Sequence, residues 1–178
     1  TVDVTYDSGA TPPTAPGSYA VVATVVDDLY QGSDSETLVV SVANPASFSA
    51  TANGMTAIDL AFAANAAGND VVIVANQTGT FGVPSGTPPA VGEAFADGVV
   101  VYAGTSSPQA HSGLSSCTPY YYKAWSQVDG FYSAGLTDDA TTAAPAAPTG
   151  LGAAEDYTSF VASWDAASGA TGYRLDVS

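Results

Sequence analysis

Leu114-Ser115-Ser116-Cys117-Thr118-Pro119-Tyr120, continued by Tyr121-Tyr122-Lys123-Ala124-Trp125-Ser126-Gln127-Val128, joins a short polar corner to a strand. Successive side chains of a strand point to opposite faces of its sheet. Tyr120, Tyr122, Ala124 and Ser126 are therefore expected inward, and Tyr121, Lys123 and Trp125 outward. Asp129-Gly130 is a turn, and Phe131-Tyr132 follow it into the next strand.

Working outward from this run, the rest of the chain reads as strands too. Its 178 residues are 46% hydrophobic, enough to bury a core, and its 18 Gly and 11 Pro supply frequent turns. No segment has the i, i+3, i+4, i+7 spacing of a long amphipathic helix. The expected fold class is all-β. Residues 1–43 contain strands at Val2–Tyr6, Ser18–Val26 and Thr37–Val42, with a polar loop at Asp27–Ser35. Residues 44–144, near the size of one sandwich, contain strands at Ser47–Ala52, Thr56–Phe62, Asp70–Ala75, Gly98–Tyr102, Tyr120–Val128 and Tyr132–Thr141. Residues 145–178 open with a Pro-containing linker and repeat the strand pattern of the preceding segment: Phe160–Trp164 aligns with Ile58–Phe62, and Tyr173–Asp176 with Val71–Val74. The expected core is Leu60, Phe62, Val72, Val74, Leu114, Tyr120 and Tyr122, with Trp164 and Tyr173 in the last segment.

The Leu114–Tyr120 corner is similar to the LxPGTxY corner of fibronectin type III domains. That resemblance implies that Leu114 and Tyr120 pack at the corner and that the Tyr120 hydroxyl bonds back to the main chain. Ser116 stands where the family has Pro, and Cys117 where it has Gly. A glycine-like backbone at Cys117 would strain the corner. Pro148-Thr149-Gly150-Leu151, Trp164 and Tyr173 resemble the opening of a second such domain, with Trp164 as the core Trp of its second strand. Val4-Thr5-Tyr6-Asp7, Pro16-Gly17-Ser18-Tyr19 and Asp27-Asp28-Leu29-Tyr30-Gln31-Gly32 resemble the C-terminal half of the bacterial MBG/YDG surface repeat. The implied architecture is a set of tandem immunoglobulin-like β-sandwich modules: a partial MBG-like module, a complete fibronectin type III-like sandwich, and a partial one.

Seventeen acidic residues stand against two basic ones, Lys123 and Arg174, for a net charge of −15. Nucleic-acid backbones need clustered Lys and Arg, so nucleic acid is excluded as a partner. Anionic membrane surfaces are disfavoured, and no apolar run is long enough to cross a bilayer. Cys117 is the only cysteine, so no intrachain disulfide forms.

Chemistry is sparsely represented. The single His111 and the single Cys117 lack an identifiable orienting carboxylate, and no nucleophile elbow or phosphate-binding glycine loop is present. The chain reads as a non-enzyme, without a resident cofactor. Calcium is the one candidate ion, with Asp27, Asp28, Asp138 and Asp139 as candidate ligands, joined by Asp34 and Glu36; solvated loop carboxylates are the alternative. Tyr121, Trp125, Phe131 and Tyr132 form a candidate exposed aromatic platform for glycans or surface proteins. The alternative is packing of these rings against the long loop Gly79–Val91 or a neighbouring module. Asn76-Gln77-Thr78 is a glycosylation sequon by sequence alone.

The chain begins at Thr1 rather than Met and reads as an excerpt that starts within one module and stops within another. The expected role is structural or adhesive, in a secreted or cell-surface bacterial protein. Its partners would be neighbouring modules or copies of itself, including filament assembly by strand complementation. The runner-up is a glycan-binding or spacer region of a secreted enzyme.

Overall fold

The computed structural model describes residues 1–156 and 159–176, and every regular element among them is a strand. In chain order these are β1 (Val2–Tyr6), β2 (Gly17–Val25), β3 (Ser33–Val40), β4 (Ser47–Ala52), β5 (Ala57–Ala63), β6 (Asp70–Asn76), β7 (Ala94–Phe95) and β8 (Gly98–Gly104). They continue with β9 (Gln109–Ser112), β10 (Pro119–Val128), β11 (Phe131–Tyr132), β12 (Leu136–Thr141), β13 (Thr149–Asp156) and β14 (Ser159–Asp165).

The first three strands form one antiparallel sheet in the order β1-β2-β3. Its register sets Val2, Val4, Tyr6, Tyr19, Val21, Val25 and Leu38 on one face. β3 starts at Ser33, earlier than the expected Thr37, because the turn is short. The Asp27 carboxylate accepts the Leu29 and Tyr30 amides (2.9 and 3.2 Å) and closes the loop within a few residues.

The central segment is a two-layer sandwich. One layer is β4-β5-β9; the other runs β11-β10-β6-β8-β7, with β12 paired to the lower half of β10. This places sequence-distant strands side by side in each layer, the immunoglobulin-like arrangement that the corner motif implied. Ile58, Leu60 and Phe62 of β5 face Val71, Ile73 and Ala75 of β6 and Tyr122 and Ala124 of β10, all buried. At about 1.5–3 kcal/mol for each large apolar side chain removed from water, this seam is the main stabilising contact of the segment.

β6 is apolar on both faces, and both are covered. Val71, Ile73 and Ala75 enter the core between the layers, whereas Val72 and Val74 lie on the opposite face with Val100 and Trp125, also fully buried. Val72 and Val74 are therefore core residues of a second cluster, not of the one expected. A single strand that reads as a continuous apolar run is the usual mark of two covered faces. Lys123 and Trp125 project from β10 on that same side. The expected long last strand, Tyr132–Thr141, is broken into β11 and β12 around Gly135, whose φ of +83° no side chain favours.

In the last segment β13 and β14 form a hairpin. Trp164 sits on the second strand, as expected, with its ring 5.6 Å from that of Tyr173. It is half-buried rather than fully enclosed, and Tyr173 is exposed. The third strand expected across Tyr173–Asp176 does not pair. The Tyr173 hydroxyl instead accepts the Ala167 amide (2.6 Å), which folds the segment back as a local loop. Val177 and Ser178, which would end that strand, lie outside the described residues.

Candidate functional site

The outer face of β10 was the candidate binding platform. It is roofed by residues 77–97, a long strap between β6 and β8. Phe81 meets the Trp125 ring edge-on (6.1 Å), Phe95 meets Tyr132 (5.6 Å), and Gly79 lies against the Tyr121 ring. The Tyr132 hydroxyl donates to the Gly86 carbonyl (2.9 Å). Trp125 is 1% exposed, so the expectation of an exposed Trp125 is corrected. Its direction was right, but Phe81 and Phe95 cover it. Tyr121 and Tyr132 are half-buried, and Phe131 alone of the four keeps an open face. A flat aromatic platform for a sugar ring is absent from this face.

Asn76 holds the strap. Its amide nitrogen donates to the Thr80 and Asp97 carbonyls (2.6 and 3.1 Å), and its oxygen accepts the Thr78 and Gly79 amides (3.1 and 2.9 Å). One side chain ties the start of the strap to its end, so the sequon asparagine is a main-chain staple. Phe81 and Phe95 were not singled out by sequence reasoning, and Asn76 only as part of a sequon. The signal was present as two aromatic residues inside a Gly- and Pro-rich loop, where solvent exposure would cost apolar burial.

The Leu114–Tyr120 corner forms as the resemblance implied. The Tyr120 hydroxyl accepts the Ser115 amide (3.1 Å), the Thr118 hydroxyl donates to the Ser116 carbonyl (2.9 Å), and Leu114 and Tyr120 pack on the main core. Cys117 has φ +52°, the left-handed conformation that the family gives to glycine, and its side chain is exposed. Cys117→Gly is expected to raise stability by about 0.5–1 kcal/mol, because relief of left-handed strain exceeds the added chain entropy. Urea denaturation under reducing conditions checks this; an unchanged or lower midpoint would contradict it.

His111 lies on β9, half-buried, with Nδ1 3.0 Å from the Tyr122 hydroxyl and its ring edge-on to both Tyr120 and Tyr122. Burial lowers the His111 pKa and pushes that of Tyr122 far above its ordinary value. Both groups are thus held neutral at pH 7, a hydrogen-bonded packing pair rather than a poised base. The sign follows from linkage: the unfolded state takes up the proton first, near the ordinary value of 6.5. This residue's contribution is therefore complete above that pH and is lost as pH falls toward the lower folded value. The difference in unfolding free energy between the parent chain and His111→Gln is expected to shrink between pH 7.5 and pH 5, read by parallel denaturant titrations. A pH-independent difference would show that His111 titrates normally.

The candidate calcium ligands are not brought together. Asp27 closes its hairpin turn, and Asp28 follows it in the exposed loop. Asp34 and Glu36 each accept the amide of the next residue. Asp138 accepts the Ala50 amide through Oδ2 (2.8 Å) and the Asp139 amide through Oδ1 (3.0 Å), while Asp139 is exposed. Among the described residues no three His, Cys, Asp or Glu side chains cluster as metal ligands would. Asp27, Asp34, Glu36 and Asp138 accept main-chain amides, and Asp28 and Asp139 are exposed, so the calcium expectation is corrected to separate carboxylates that form no cluster.

The linker between the first sheet and the sandwich is held by side chains. Val42 and Pro45 are buried, the Asn65 amide donates to the Ala43 carbonyl (2.8 Å), and the Asn44 side-chain oxygen accepts the Gly135 amide (2.8 Å). An open groove of about 510 Å³ runs beside it, lined by Pro16, Val40, Val42, Ala66 and Val128 among others.

Comparison with known proteins agrees with the first part of this description. No curated protein matches the chain. Among solved structures it is similar to the crystal structure of domains A168–A170 from titin, with a TM-score of 0.42 and 11% identity, over 81% of this chain and 55% of that one. The chain thus spans little more than half the length of that structure. Residues 1–44, which comprise the β1-β2-β3 sheet and the start of the linker, match the MBG domain family.

Proposed function

We propose that the chain is a non-catalytic structural segment of a secreted or cell-surface protein, serving as a stiff link in a modular array. The observation that carries this reading is the clamped linker. Val42 is only 7% exposed, and residues 43–44 are tied to the sandwich from two sides, the Ala43 carbonyl by the Asn65 side chain and the Asn44 side chain by the Gly135 amide. A linker held in this way transmits orientation from one module to the next instead of acting as a flexible tether. The MBG likeness of residues 1–44 supports the surface setting and the bacterial origin. The central sandwich is read as fibronectin type III-like, and β13–β14 as the opening of another.

Partners are neighbouring modules or further copies of the chain. One face of the first sheet leaves Val2 (59%), Val4 (38%) and Val25 (37%) accessible beside Asp34 and Glu36, and its edge strands β1 and β3 carry free main-chain groups. Such edges take up added strands, which supports assembly into filaments. Electron microscopy of the native material, at the salt of its source, tests both levels. Beaded particles with a constant angle between the first two modules are expected, and regular fibres if strands are exchanged between copies. A wide spread of inter-module angles would overturn the stiff-link reading.

A further inference from the structure

The sandwich passes the chain on to the last segment at the end where the β4–β5 turn, the Leu114–Tyr120 corner and the second linker meet. The β4–β5 turn is fixed there on both sides of Met55. The Gly54 carbonyl accepts the Ala143 amide (2.9 Å), and the Thr56 carbonyl accepts the Leu114 amide (3.0 Å). Asn53 closes the turn, through its amide to the Ala57 carbonyl (2.9 Å) and through its side chain to Asp59 (2.9 Å). Met55 is thus presented from a rigid main chain, and only its side chain is free to adapt. It is half-buried, and it is the single methionine of the chain.

Met55 meets Gly169, in the turn after β14 that the Ala170 amide closes onto the Ala167 carbonyl (3.2 Å). A Cβ on Gly169 would stand 2.9 Å from Met55 Sδ and 3.1 Å from Cε, with Pro145 of the linker 4.0 Å away. Gly169 has φ +78°, a backbone that favours glycine, and its missing side chain lets the sulfur come this close. Among the described residues no hydrogen bond crosses from the sandwich or its second linker to the last segment. Residues 144–148 of that linker are exposed apart from Pro145. The two joints are therefore built differently. The first is clamped by hydrogen bonds from Asn65 and Gly135, whereas the second rests on a thioether laid against bare main chain.

We propose that Met55 is an oxidation site that sets the stiffness of the second joint, with a peroxide as the oxidant. A lone pair of the sulfur forms an S–O bond to one oxygen of hydrogen peroxide, and the O–O bond breaks. The proton of the transferred oxygen goes to the departing hydroxide, which leaves as water. The sulfur gives up two electrons and the peroxide takes them. The sulfoxide that results is polar where a flexible apolar group stood. Its oxygen points either into the Gly169 main chain, which is already in contact, or toward water, which draws the sulfur off the glycine. In both cases the contact is lost and the last segment swings on its linker. This assignment extends the stiff-link reading to the second joint, but the experiment reads that joint alone.

Hydrogen peroxide treatment of the full chain carrying Cys117→Ser tests it, the substitution removing the exposed thiol that would compete for oxidant. The methyl NMR signal of the single methionine reports conversion, and residual dipolar couplings of the main-chain amides report how firmly β13 and β14 follow the sandwich. The order parameter between the two is expected to fall from about 0.85 to about 0.6 or below, the values of rigid and flexible backbone. Enzymatic reduction of the sulfoxide should restore it. Met55→Leu, apolar and inert to peroxide, should stay stiff through the treatment. Met55→Gln, polar like the sulfoxide, should be loose without it. Resistance of Met55 to peroxide, full conversion with unchanged couplings, or a joint already loose before treatment would each overturn the proposal. So would a Met55→Leu chain that loosens under peroxide as the parent does. A peroxide-sensitive second joint in material whose first two modules hold no constant angle would remove the stiff-link reading and leave the role of Met55 standing.

Discussion

Replacing Trp125 by Ala is expected to destabilise the central sandwich by about 3–5 kcal/mol, the range for truncating a buried aromatic in a close-packed site. The ring is enclosed on every side. Val72, Val74 and Val100 lie beneath it, Phe81 meets it edge-on at 6.1 Å, and the Lys123 ammonium sits 5.3 Å from its centre. The loss should be unevenly distributed. The strap over residues 77–97 has little regular structure and depends on this ring and on Asn76, whereas the core between the layers rests on Tyr122, Ile73 and Leu60. Limited proteolysis should therefore cut Trp125→Ala first within the strap, and more slowly elsewhere. Trp125→Phe keeps most of the apolar area and should lose much less stability. Equilibrium denaturation of both variants, with Trp164→Phe in the background so that Trp125 is the only tryptophan in the parent, provides the measurement. A loss below about 1 kcal/mol for the Ala variant, well under the truncation range, would mean that the strap does not enclose the ring.

The same residue marks where sequence reasoning stops. Strand alternation is a local property, so the direction of Trp125 followed from its neighbours, as did the inward course of Tyr122 and Ala124. The Leu114–Tyr120 corner was legible for a similar reason, since all its bonds fall within a few residues, down to the glycine-like backbone at Cys117. Whether an outward face meets water is not local. It depends on a strap whose anchors lie more than twenty residues from the strand they cover, and alternation carries no information about that. β6 offered a hint, because Val71-Val72-Ile73-Val74 is apolar at every position, and a strand with one wet face would have alternated. The acidic pairs failed differently. Composition cannot separate a carboxylate that binds an ion from one that caps a turn or bridges two layers, and Asp27 and Asp138 proved to be the latter two. The last segment shows the same limit: Tyr173 carries the strand signal, yet a strand needs a partner, and among the described residues β14 offers it none.

Gly98→Ala is expected to cost about 3 kcal/mol or more, at the upper end of what overpacking a rigid site does. A Cβ on Gly98 would stand 2.5 Å from Val74 Cγ1, 2.6 Å from the Ala75 carbonyl oxygen and 3.2 Å from its carbon. A side chain could swing aside, but the main chain of β6 cannot, because it is paired on both edges, to β10 and to β8. The hairpin between β7 and β8 has no slack either. Its two turn residues, Ala96 and Asp97, already hold φ values of +47° and +63°, and the Asp97 carbonyl is bonded to Asn76. The added methyl must therefore push β8 away from the end of β6 and break the closure of the strap. Gly82→Ala is the instructive comparison. Its Cβ would come as close as 2.8 Å, but to Oδ2 of Asp97, an exposed side chain that can turn away. Thermal denaturation of the two variants should separate them clearly, with Gly98→Ala melting well below the parent and Gly82→Ala near it. Equal melting temperatures would mean that β8 is free to shift against β6, and that the strap closes over Trp125 without the tight contact at Gly98.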